Sequence, residues 1–443
     1  MTTSRLKTLL LAIWGLFLIL FLIVVLYLWT QNRSIVLAEN ASVPETLPAP
    51  AQNAPLQATP SLTSAKRTIS TPTPLPSNTP AATIAAMLPL ELPANYDPYT
   101  GLIPVDASRL ERRPMAVKIT NFPRRVRDYQ FGLTRADVAY EYYIEDGLTR
   151  FIAVFYGQDA EKAGPVRSGR YFDEHIARMY QSYLVFANAD ERVEEFLLTS
   201  DILQRLVVPT GLNCPPLCRD KSIVDYNNFF VDTAGLTEYT RKIGHDNIRM
   251  PIRSTYFDLI APSWPLEVNE ITVRYSEYSY HSWRYDPSRR LYERYSDTVD
   301  SVTAEGEIYG PHIDMLNGEQ ITAANVVILV VPHNFKTEFD RADQVFDIQL
   351  VSEGLAYVFR DGRATAALWQ RDAIDQPIRL LDATRGRLAL TPGNTFYIVI
   401  NPEGSLEQGE KSVRFTYNIP ARRATPTATP PGFIPSPTPR RKP

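Results

Sequence analysis

The hydrophobic residues of this chain form one long continuous run near the N-terminus and many short runs after residue 96. Residues 9–29 contain no charged residue, asparagine, glutamine or proline. At about 1.5 Å of rise per helical residue, this run spans roughly 30 Å, the thickness of a bilayer core. The pattern therefore predicts one transmembrane helix at 9–29, preceded by a cytoplasmic N-terminus at 1–8.

The charges beside this run predict its orientation. Arg5 and Lys7 precede it, whereas Arg33 follows it closely. Positive-inside counting leaves the N-terminus in the cytoplasm and the rest of the chain outside. The alternative is a cleaved signal peptide, which has a shorter apolar region with a small-residue cleavage site close behind. A lipid anchor is disfavoured because no cysteine lies near the N-terminus. We expect a single-pass cell-membrane protein with an extracytoplasmic body.

Two segments are rich in proline, alanine, threonine and serine, namely residues 30–95 and residues 421–443. Such segments have too few large apolar residues to offset their chain entropy, so both are expected to be disordered. Frequent proline favours extended polyproline II, at about 3.1 Å per residue. The first segment is therefore interpreted as a stalk and the second as a tail.

Between the stalk and the tail, short apolar runs predict an α+β domain at 96–260 and a β-rich domain at 261–420. In the first domain, strands are expected at 115–120, 138–144, 151–156 and 183–187, and helices at 171–180, 193–206 and 233–243. In the second, strands are expected at 271–275, 281–285, 291–295, 326–331, 356–359, 364–369 and 395–400. Asp361-Gly362 is a strong hairpin signal because the turn needs positive φ.

The composition and net charge of the chain reduce the number of functions that need to be considered. The formal net charge is −3, which gives no electrostatic basis for binding nucleic acid. No cofactor motif and no metal-ligand set is recognised. Cys214 and Cys218 are the two cysteines, and outside the membrane a local disulfide between them is expected, with free thiols as the alternative.

The densest polar group on the body comprises Glu141, Glu145, Asp146, Arg150, Arg167 and Arg170. If 138–144 pairs with 151–156, Glu141 and Arg150 are expected to lie near each other. Arg167 and Arg170 lie in a glycine-punctuated loop before a predicted helix, a setting that suits an anionic ligand such as phosphate or carboxylate. A buried network of arginine and carboxylate that ties the loop to the sheet is the alternative.

His312 and Asp314 form a second candidate. On a strand, both would face the same side, which is compatible with a metal or an oriented imidazole, although no third metal ligand is identified. A pair that only satisfies its own hydrogen bonds is the alternative. The tyrosines and the tryptophan between residues 275 and 295 offer either a sugar-stacking surface or cross-strand packing.

Several motifs in the body resemble the YerB-like bacterial lipoproteins. In the first half they are RPMAVKITN at 113–121, ADVAYE at 136–141, GLTRF at 147–151 and GPVRSGR at 164–170. In the second half they are WRYD at 283–286, GPHID at 310–314, ANVV at 324–327, and the segments 354–369 and 391–400. The resemblance implies an envelope-attached protein with paired N- and C-terminal domains of unknown function. The chain departs from the family in lacking a lipoprotein cysteine, and at 225–228 it lacks an expected Pro-His-Asn-like segment.

Two functions are therefore carried forward. The first is a non-enzymatic binding or assembly module that recognises peptidoglycan, another polymer or an envelope protein. The second is an envelope hydrolase or transferase acting on an anionic substrate. The absence of a recognisable catalytic signature favours the first.

Overall fold

The computed structural model describes residues 66–68, 92–210, 213–252, 255–302, 306–337 and 343–421. The predicted transmembrane helix at 9–29, most of the predicted stalk and nearly all of the predicted tail lie outside these ranges. Within them, no helix has both the length and the apolar composition needed to cross a membrane.

The described residues form an α+β half followed by a β-rich half. The α-helices in these ranges are α1 (Tyr171–Met179), α2 (Glu191–Thr199) and α3 (Leu236–Ile243). The side chain of Asp190 begins α2 by accepting a hydrogen bond from the Arg192 amide, and α3 ends at Gly244 with a φ of 69°. Single 3-10 turns occur at Ala107–Glu111, Arg124–Tyr129, Leu133–Arg135 and Leu203–Arg205.

Among the described residues the first half contributes seven strands, β2 to β8; the short strand β1 precedes it, and the short strand β9 begins the second half. In chain order they are β1 (Lys66–Thr68), β2 (Met115–Thr120), β3 (Val138–Tyr143), β4 (Thr149–Phe155), β5 (Tyr183–Val185), β6 (Leu206–Val207), β7 (Leu217–Arg219), β8 (Phe229–Val231) and β9 (Leu266–Glu267).

The second half contains the remaining strands described. They are β10 (Glu270–Arg274), β11 (Tyr280–Asp286), β12 (Leu291–Asp297), β13 (Tyr309–Pro311), β14 (Thr322–Ala323), β15 (Asn325–Val330), β16 (His333–Phe335), β17 (Phe346–Ile348), β18 (Ser352–Arg360), β19 (Arg363–Arg371), β20 (Arg379–Leu381), β21 (Thr395–Ile400), β22 (Ser405–Gln408) and β23 (Ser412–Thr416).

A large central sheet draws on both halves. Among the described residues it has eleven strands, in the order β20-β19-β18-β15-β21-β3-β4-β2-β5-β6, with β9 paired to β19. The halves meet where β21 runs parallel to β3, with Tyr397 opposite Tyr140. All residues of β2, β3, β4, β15 and β21 are buried, as expected for strands covered on both faces.

A second sheet covers one face of the central sheet. In the described ranges it has eight strands, in the order β1-β22-β23-β10-β11-β12-β13, with β14 paired to β12. Trp283 on β11 packs against Phe396 on β21, with 4.8 Å between ring centroids. Helix α1 lies on the opposite face, where Phe172 contacts Tyr142. The hairpin of β3 and β4 is therefore enclosed between a sheet and a helix.

Most of the predicted elements of the body are present. The turn between β18 and β19 has positive φ at Asp361 (53°) and Gly362 (70°), as the hairpin signal predicted. Helix α2 is shorter than the predicted helix at 193–206, because the chain leaves the helix at Ser200 and forms a separate 3-10 turn.

Two observations concern the predicted stalk and the aromatic residues. Within the predicted disordered stalk, β1 pairs antiparallel with the edge strand β22, whose free backbone groups accept an extended segment. The aromatic residues between 275 and 295 do not form a continuous surface, since Tyr275, Tyr280, Trp283 and Tyr292 are buried. Packing between the sheets accounts for these four.

Candidate functional site

The hairpin of β3 and β4 carries polar groups on both of its faces. Glu141 lies opposite Phe151, and Tyr142 lies opposite Arg150. Successive residues of a strand point to opposite faces, so the side chains of Glu141 and Arg150 are on opposite sides of the sheet. The expectation that these two residues lie near each other was wrong. For their side chains to meet, Glu141 would have to lie directly opposite Arg150, but the residue opposite Arg150 is Tyr142.

Glu141 faces the second sheet and forms an ion pair there. Its Oε2 lies 2.7 Å from Nη2 of Arg294 on β12, and both side chains are fully buried. Its Oε1 accepts hydrogen bonds from Oγ1 of Thr149 at 2.8 Å and from Nδ2 of Asn121 at 3.2 Å. Arg294 also lies over the ring of Phe151, 5.1 Å from its centroid. This carboxylate is therefore held from inside the body, Oε1 by two hydrogen bonds and Oε2 by the ion pair with Arg294.

Two histidines complete what we call the sealed network, consisting of Glu141, Arg294, His281 and His312. Nε of Arg294 donates to Nδ1 of His312 at 3.1 Å, and Nε2 of His312 lies 2.6 Å from Oε1 of Gln130. His312 therefore accepts at Nδ1 and donates at Nε2, which is the arrangement of a neutral imidazole. Nδ1 of His281 lies 3.4 Å from Oε2 of Glu141.

Burial controls the charges in the sealed network. It raises the pKa of Glu141 above its usual value, although Arg294 opposes the shift. It lowers the pKa of Arg294, although Glu141 opposes that shift. Burial and the neighbouring Arg294 lower the pKa of both His281 and His312 well below their usual value. Both histidines are therefore neutral near neutral pH, and the network has no exposed group with which to reach a ligand.

Asp314 is buried near His312 but has a separate set of partners. Its Oδ1 accepts from the amides of Gly132 and Leu316, at 2.8 and 2.9 Å. Its Oδ2 accepts from the amide and the hydroxyl of Thr134, both at 2.7 Å. Asp314 therefore fixes the turn Leu133–Arg135 of the first half onto the second half, and the structure does not bring His312 and Asp314 to a common ligand position.

The opposite face of the hairpin carries a group that we call the basic cluster, consisting of Arg150, Arg167 and Arg170. Arg170 forms a two-pronged ion pair with Glu145, in which its Nε lies 3.0 Å from Oε2. Nη2 of Arg150 lies 4.0 Å from Oε1 of the same carboxylate. Nη1 of Arg150 donates to the carbonyl of Ser168 at 3.1 Å. Two guanidinium groups therefore share one glutamate.

Arg167 extends the basic cluster toward solvent. It is half-buried, and its guanidinium lies over the ring of Tyr226, 4.6 Å from the centroid. Tyr226 itself is exposed. Asp225 attracts Arg167 electrostatically, but its Oδ2 is already 2.9 Å from Arg125 and 3.0 Å from the hydroxyl of Tyr129.

Beneath the basic cluster lies a buried pair that sequence reasoning missed. Nζ of Lys118 on β2 is 3.1 Å from Oδ1 of Asp173 on α1, and both side chains are fully buried. The hydroxyl of Tyr142 donates to the same oxygen at 2.5 Å. Asp173 also accepts from the amide of Arg170 at 2.8 Å, which fixes the start of α1. The pair therefore positions Arg170.

Burial is the largest cause of the pKa shifts of the cations on this face. It lowers the pKa of Arg150 to about 9, and the repulsion from Arg170 contributes more than the attraction of Glu145. Burial also lowers the pKa of Lys118 to about 7, where Asp173 opposes the shift and Arg150 and Arg170 add to it. A bound anion would relieve this repulsion, whereas the sealed network has no such imbalance to relieve.

Some residues of the candidate site could be recognised from a local sequence motif, and others could not. The glycine-punctuated loop indicated Arg167 and Arg170, whereas Arg294 and His281 have no local signal and reach Glu141 only because the two sheets pack together. Lys118 stands at the fourth position of an otherwise mostly apolar strand. A lone lysine in a strand predicted to be buried is the feature that could have indicated it.

The remaining candidates are structural. Cys214, in the loop before β7, forms a disulfide with Cys218 in β7. Among the described residues, no group of three or more histidine, cysteine, aspartate or glutamate side chains is arranged to hold a metal ion.

Comparison with known proteins identifies relatives of the whole body. Residues 99–246 match the family "Protein of unknown function (DUF3048) N-terminal domain", and residues 271–397 match the corresponding C-terminal domain. The Bacillus subtilis protein named "Putative lipoprotein YerB" is 24% identical over 328 residues, which cover 71% of this chain and 89% of that protein. The crystal structure of the YerB protein from Bacillus subtilis superposes with a TM-score of 0.56 at 22% identity, covering 69% of this chain and 96% of that one.

Proposed function

The chain belongs to the YerB-like family of proteins with paired N- and C-terminal domains of unknown function, and from this premise we propose that it is an extracytoplasmic binding module of the cell envelope. It is anchored by the helix predicted at 9–29, with its N-terminus in the cytoplasm. The body binds an anionic group of a wall polymer or of an envelope partner through the basic cluster.

The observation that carries this proposal is that Arg150 and Arg170 share a single carboxylate, Glu145, with the half-buried Arg167 beside them. Guanidinium groups bind phosphate and carboxylate through paired hydrogen bonds, which makes arginine suited to a polyanion. Arg150 and Arg170 share Glu145, and repulsion between them outweighs the attraction of that carboxylate for Arg150. An external anion that approaches the half-buried Arg167 would be attracted by all three.

The proposed location at the cell envelope is supported by the Bacillus subtilis relative. The name of the Bacillus subtilis protein describes a lipoprotein, which is a protein held at a membrane by lipid. In this chain the apolar run at 9–29 would replace that lipid, and the proline-rich segment would set the distance between membrane and body. We propose that this arrangement brings the basic cluster to wall polymers that carry phosphodiester groups.

A sedimentation assay with purified walls tests the proposal. The full chain, held in nanodiscs of zwitterionic lipid, is mixed with intact walls and with walls treated with hydrofluoric acid, which cleaves phosphodiester-linked polymers. We expect the protein to sediment with intact walls and to lose most of this binding after the treatment. The double variant Arg150→Gln/Arg167→Gln should bind intact walls about tenfold more weakly.

The matched control is Arg241→Gln, which also removes positive charge but lies on the exposed surface of α3. It should bind as the wild type does. Equal binding by the control and the double variant would contradict the assignment of the basic cluster. If the wild type retains neither wall polymer nor any envelope protein from a solubilised membrane fraction, the binding proposal as a whole fails.

A second function, an envelope hydrolase or transferase acting on an anionic substrate, is favoured by one observation. Lys118 has a pKa lowered to about 7 and lies directly beneath the basic cluster, as a general base would. Its side chain is fully buried, which favours the binding function. Wall fragments incubated with the protein and analysed by mass spectrometry decide between the two. A new product that depends on Lys118 would establish the enzyme.

A further inference from the structure

Lys118 is a fully buried lysine within the large central sheet, at the fourth position of β2. Its Nζ lies 3.1 Å from Oδ1 of Asp173 and also hydrogen bonds to the hydroxyl of Tyr142. Since Tyr142 donates to the same oxygen of Asp173, one carboxylate serves both groups. Burial of an ammonium group is costly, so a single shared carboxylate only partly offsets the cost of the charge on Lys118.

The position of Lys118 connects it to each arginine of the basic cluster. The carbonyl of Lys118 accepts a hydrogen bond from the amide of Arg167 at 3.0 Å. Its partner Asp173 accepts from the amide of Arg170 at 2.8 Å. Thr120, two residues further along β2, lies opposite Arg150, so the side chains of Lys118 and Arg150 are on the same face of the sheet. A change at Lys118 is therefore felt by the whole cluster.

The charged and titratable groups around Lys118 come from several elements. Helix α1 contributes Asp173, strand β3 contributes Tyr142, and strand β4 contributes Arg150. The loop before α1 contributes Arg170, whose partner Glu145 lies in the turn between β3 and β4. On its other side, β2 pairs with β5, which consists of tyrosine, leucine and valine and has no charged residue. Two guanidinium groups therefore act on Lys118 against one directly bonded carboxylate.

These surroundings bring the pKa of Lys118 close to neutral pH. Burial lowers it to about 7, Asp173 opposes the shift, and Arg150 and Arg170 add to it. Burial lowers the pKa of Arg150 only to about 9, and it raises the pKa of Tyr142 well above its usual value. Among these three groups, Lys118 is therefore the one whose charge changes most between about pH 6 and about pH 8.

Anion binding and the protonation of Lys118 are coupled through this arrangement. An anion held by Arg150, Arg167 and Arg170 brings negative charge close to Lys118, and this charge favours the protonated form. Binding therefore raises the fraction of Lys118 that carries a proton. Because the coupling between two binding equilibria is reciprocal, a lower pH, which protonates Lys118, strengthens the binding of the anion.

We propose that the basic cluster takes up a proton at Lys118 when it binds its anion, so that acidification of the envelope strengthens binding. Lys118 is a positioning residue, because it lies buried beneath the arginines and acts through its charge and through its hydrogen bonds with Arg167 and Asp173. The inference rests on the function proposed above, since it needs an anion at the basic cluster, and it concerns the regulation of that site.

Sedimentation with intact walls tests the coupling when it is measured from about pH 6 to about pH 8 at constant ionic strength, with the full chain in zwitterionic nanodiscs. If the bound anion raises the pKa of Lys118 by about one unit, the affinity should be about fivefold higher at the acidic end. Phosphodiester groups do not titrate in this range. Any other titrating group of the wall or the protein cancels when a variant is compared with the wild type on the same walls.

A double variant removes the coupled group, and a single variant serves as the control. Lys118→Met/Asp173→Asn removes the lysine together with its buried counter-charge, and the new side-chain amide can still accept from the amide of Arg170. Its affinity should change by less than about twofold over the series. Lys242→Met removes a lysine from the exposed surface of α3, where Lys242 lies 3.9 Å from Glu238, and should keep the wild-type dependence. Thermal melting verifies folding. A double variant with the full wild-type dependence would overturn the proposal.

A measurement on the wild type alone decides the question if the double variant does not fold. A soluble glycerol phosphate polymer is titrated calorimetrically into the full chain at about pH 7, in two buffers with different enthalpies of ionisation, and the heats should differ by the amount expected for uptake of about 0.4 proton per site. Equal heats, or wall binding that is independent of pH, would overturn the proposal and leave the binding function standing. Absence of wall binding at every pH would contradict that function and this proposal together.

Discussion

The two faces of the β3–β4 hairpin carry polar groups that differ in exposure and in charge balance. On one face, Glu141 and Arg294 are fully buried, paired and surrounded by neutral histidines. On the other, Arg150 and Arg170 share Glu145, and Arg167 lies half-buried on an exposed tyrosine. A fully buried ion pair holds the sheets together, whereas arginines that share one carboxylate near the surface repel each other, and a ligand can relieve that repulsion. The same hairpin therefore supports the fold on one side and, we propose, binding on the other.

The largest effect is expected from breaking the sealed network. Arg294→Met leaves Glu141 buried without its cation, and loss of one partner of a buried ion pair costs about 3–5 kcal/mol. The free energy of unfolding, measured by urea denaturation of the full chain, should fall by that amount. Glu141→Gln/Arg294→Met should recover part of the loss, because no uncompensated charge remains. A loss below about 1 kcal/mol for Arg294→Met would show that the pair does not hold the sheets together.

The second effect is a dependence of stability on pH that arises from the same face. The folded-state pKa values of His281 and His312 lie well below the usual value, so the unfolded chain takes up protons that the folded chain does not. Their contribution to stability is complete above about pH 6.5 and is lost as the pH falls below it. Glu141, with a raised pKa, acts in the opposite sense: its contribution is present at low pH and is lost as the pH rises through the folded-state pKa.

His312→Gln isolates the histidine contribution. Glutamine can accept from Arg294 and donate to Gln130, yet it does not titrate. The urea midpoint of this variant should fall less steeply on acidification than that of the wild type, and because Glu141 is present in both proteins, its effect cancels in the difference. Parallel curves for the two proteins would contradict a role for His312 in acid sensitivity.

The third prediction concerns the opposite face. Arg150→Met removes a guanidinium whose charge is disfavoured by burial and by Arg170. The free energy of unfolding should stay within about 1 kcal/mol of the wild type or rise, as when buried charges are replaced by apolar groups of similar size. Binding to intact walls should nevertheless weaken. A stability loss as large as that of Arg294→Met would remove the distinction between the two faces.

The smallest predicted effect is a difference between the two faces of the hairpin in their sensitivity to salt. Raising the ionic strength from about 0.05 to about 0.5 M should weaken wall binding severalfold, because the basic cluster meets its ligand near solvent. The free energy contributed by the Glu141–Arg294 pair, from the double-mutant cycle above, should change little, since fully buried charges are poorly screened. If salt weakened wall binding and the Glu141–Arg294 pair to the same extent, both the basic cluster and the pair would have to be exposed to solvent.

Much of this fold follows from local sequence. Alternating and continuous apolar runs located β2, β3, β4, β15 and β21, and Asp361-Gly362 located a turn, because these signals act over a few residues. The partner of Glu141 could not be found this way, since Arg294 lies on a strand of the second sheet and reaches Glu141 only when the sheets stack. The register of the β3–β4 hairpin could not be predicted either. It differs by one residue from the expected pairing, and this difference puts the side chain of Arg150 on the face opposite to Glu141.

One measurement tests the central contrast most directly. Wall binding of folded Arg150→Met full chain is compared with that of Arg241→Gln, at equal concentration and with unfolding measured on the same preparations. Arg150→Met should keep its stability to within about 1 kcal/mol and lose most of its wall binding, while Arg241→Gln keeps both. If Arg150→Met binds walls as tightly as Arg241→Gln does, the basic cluster is not the binding site.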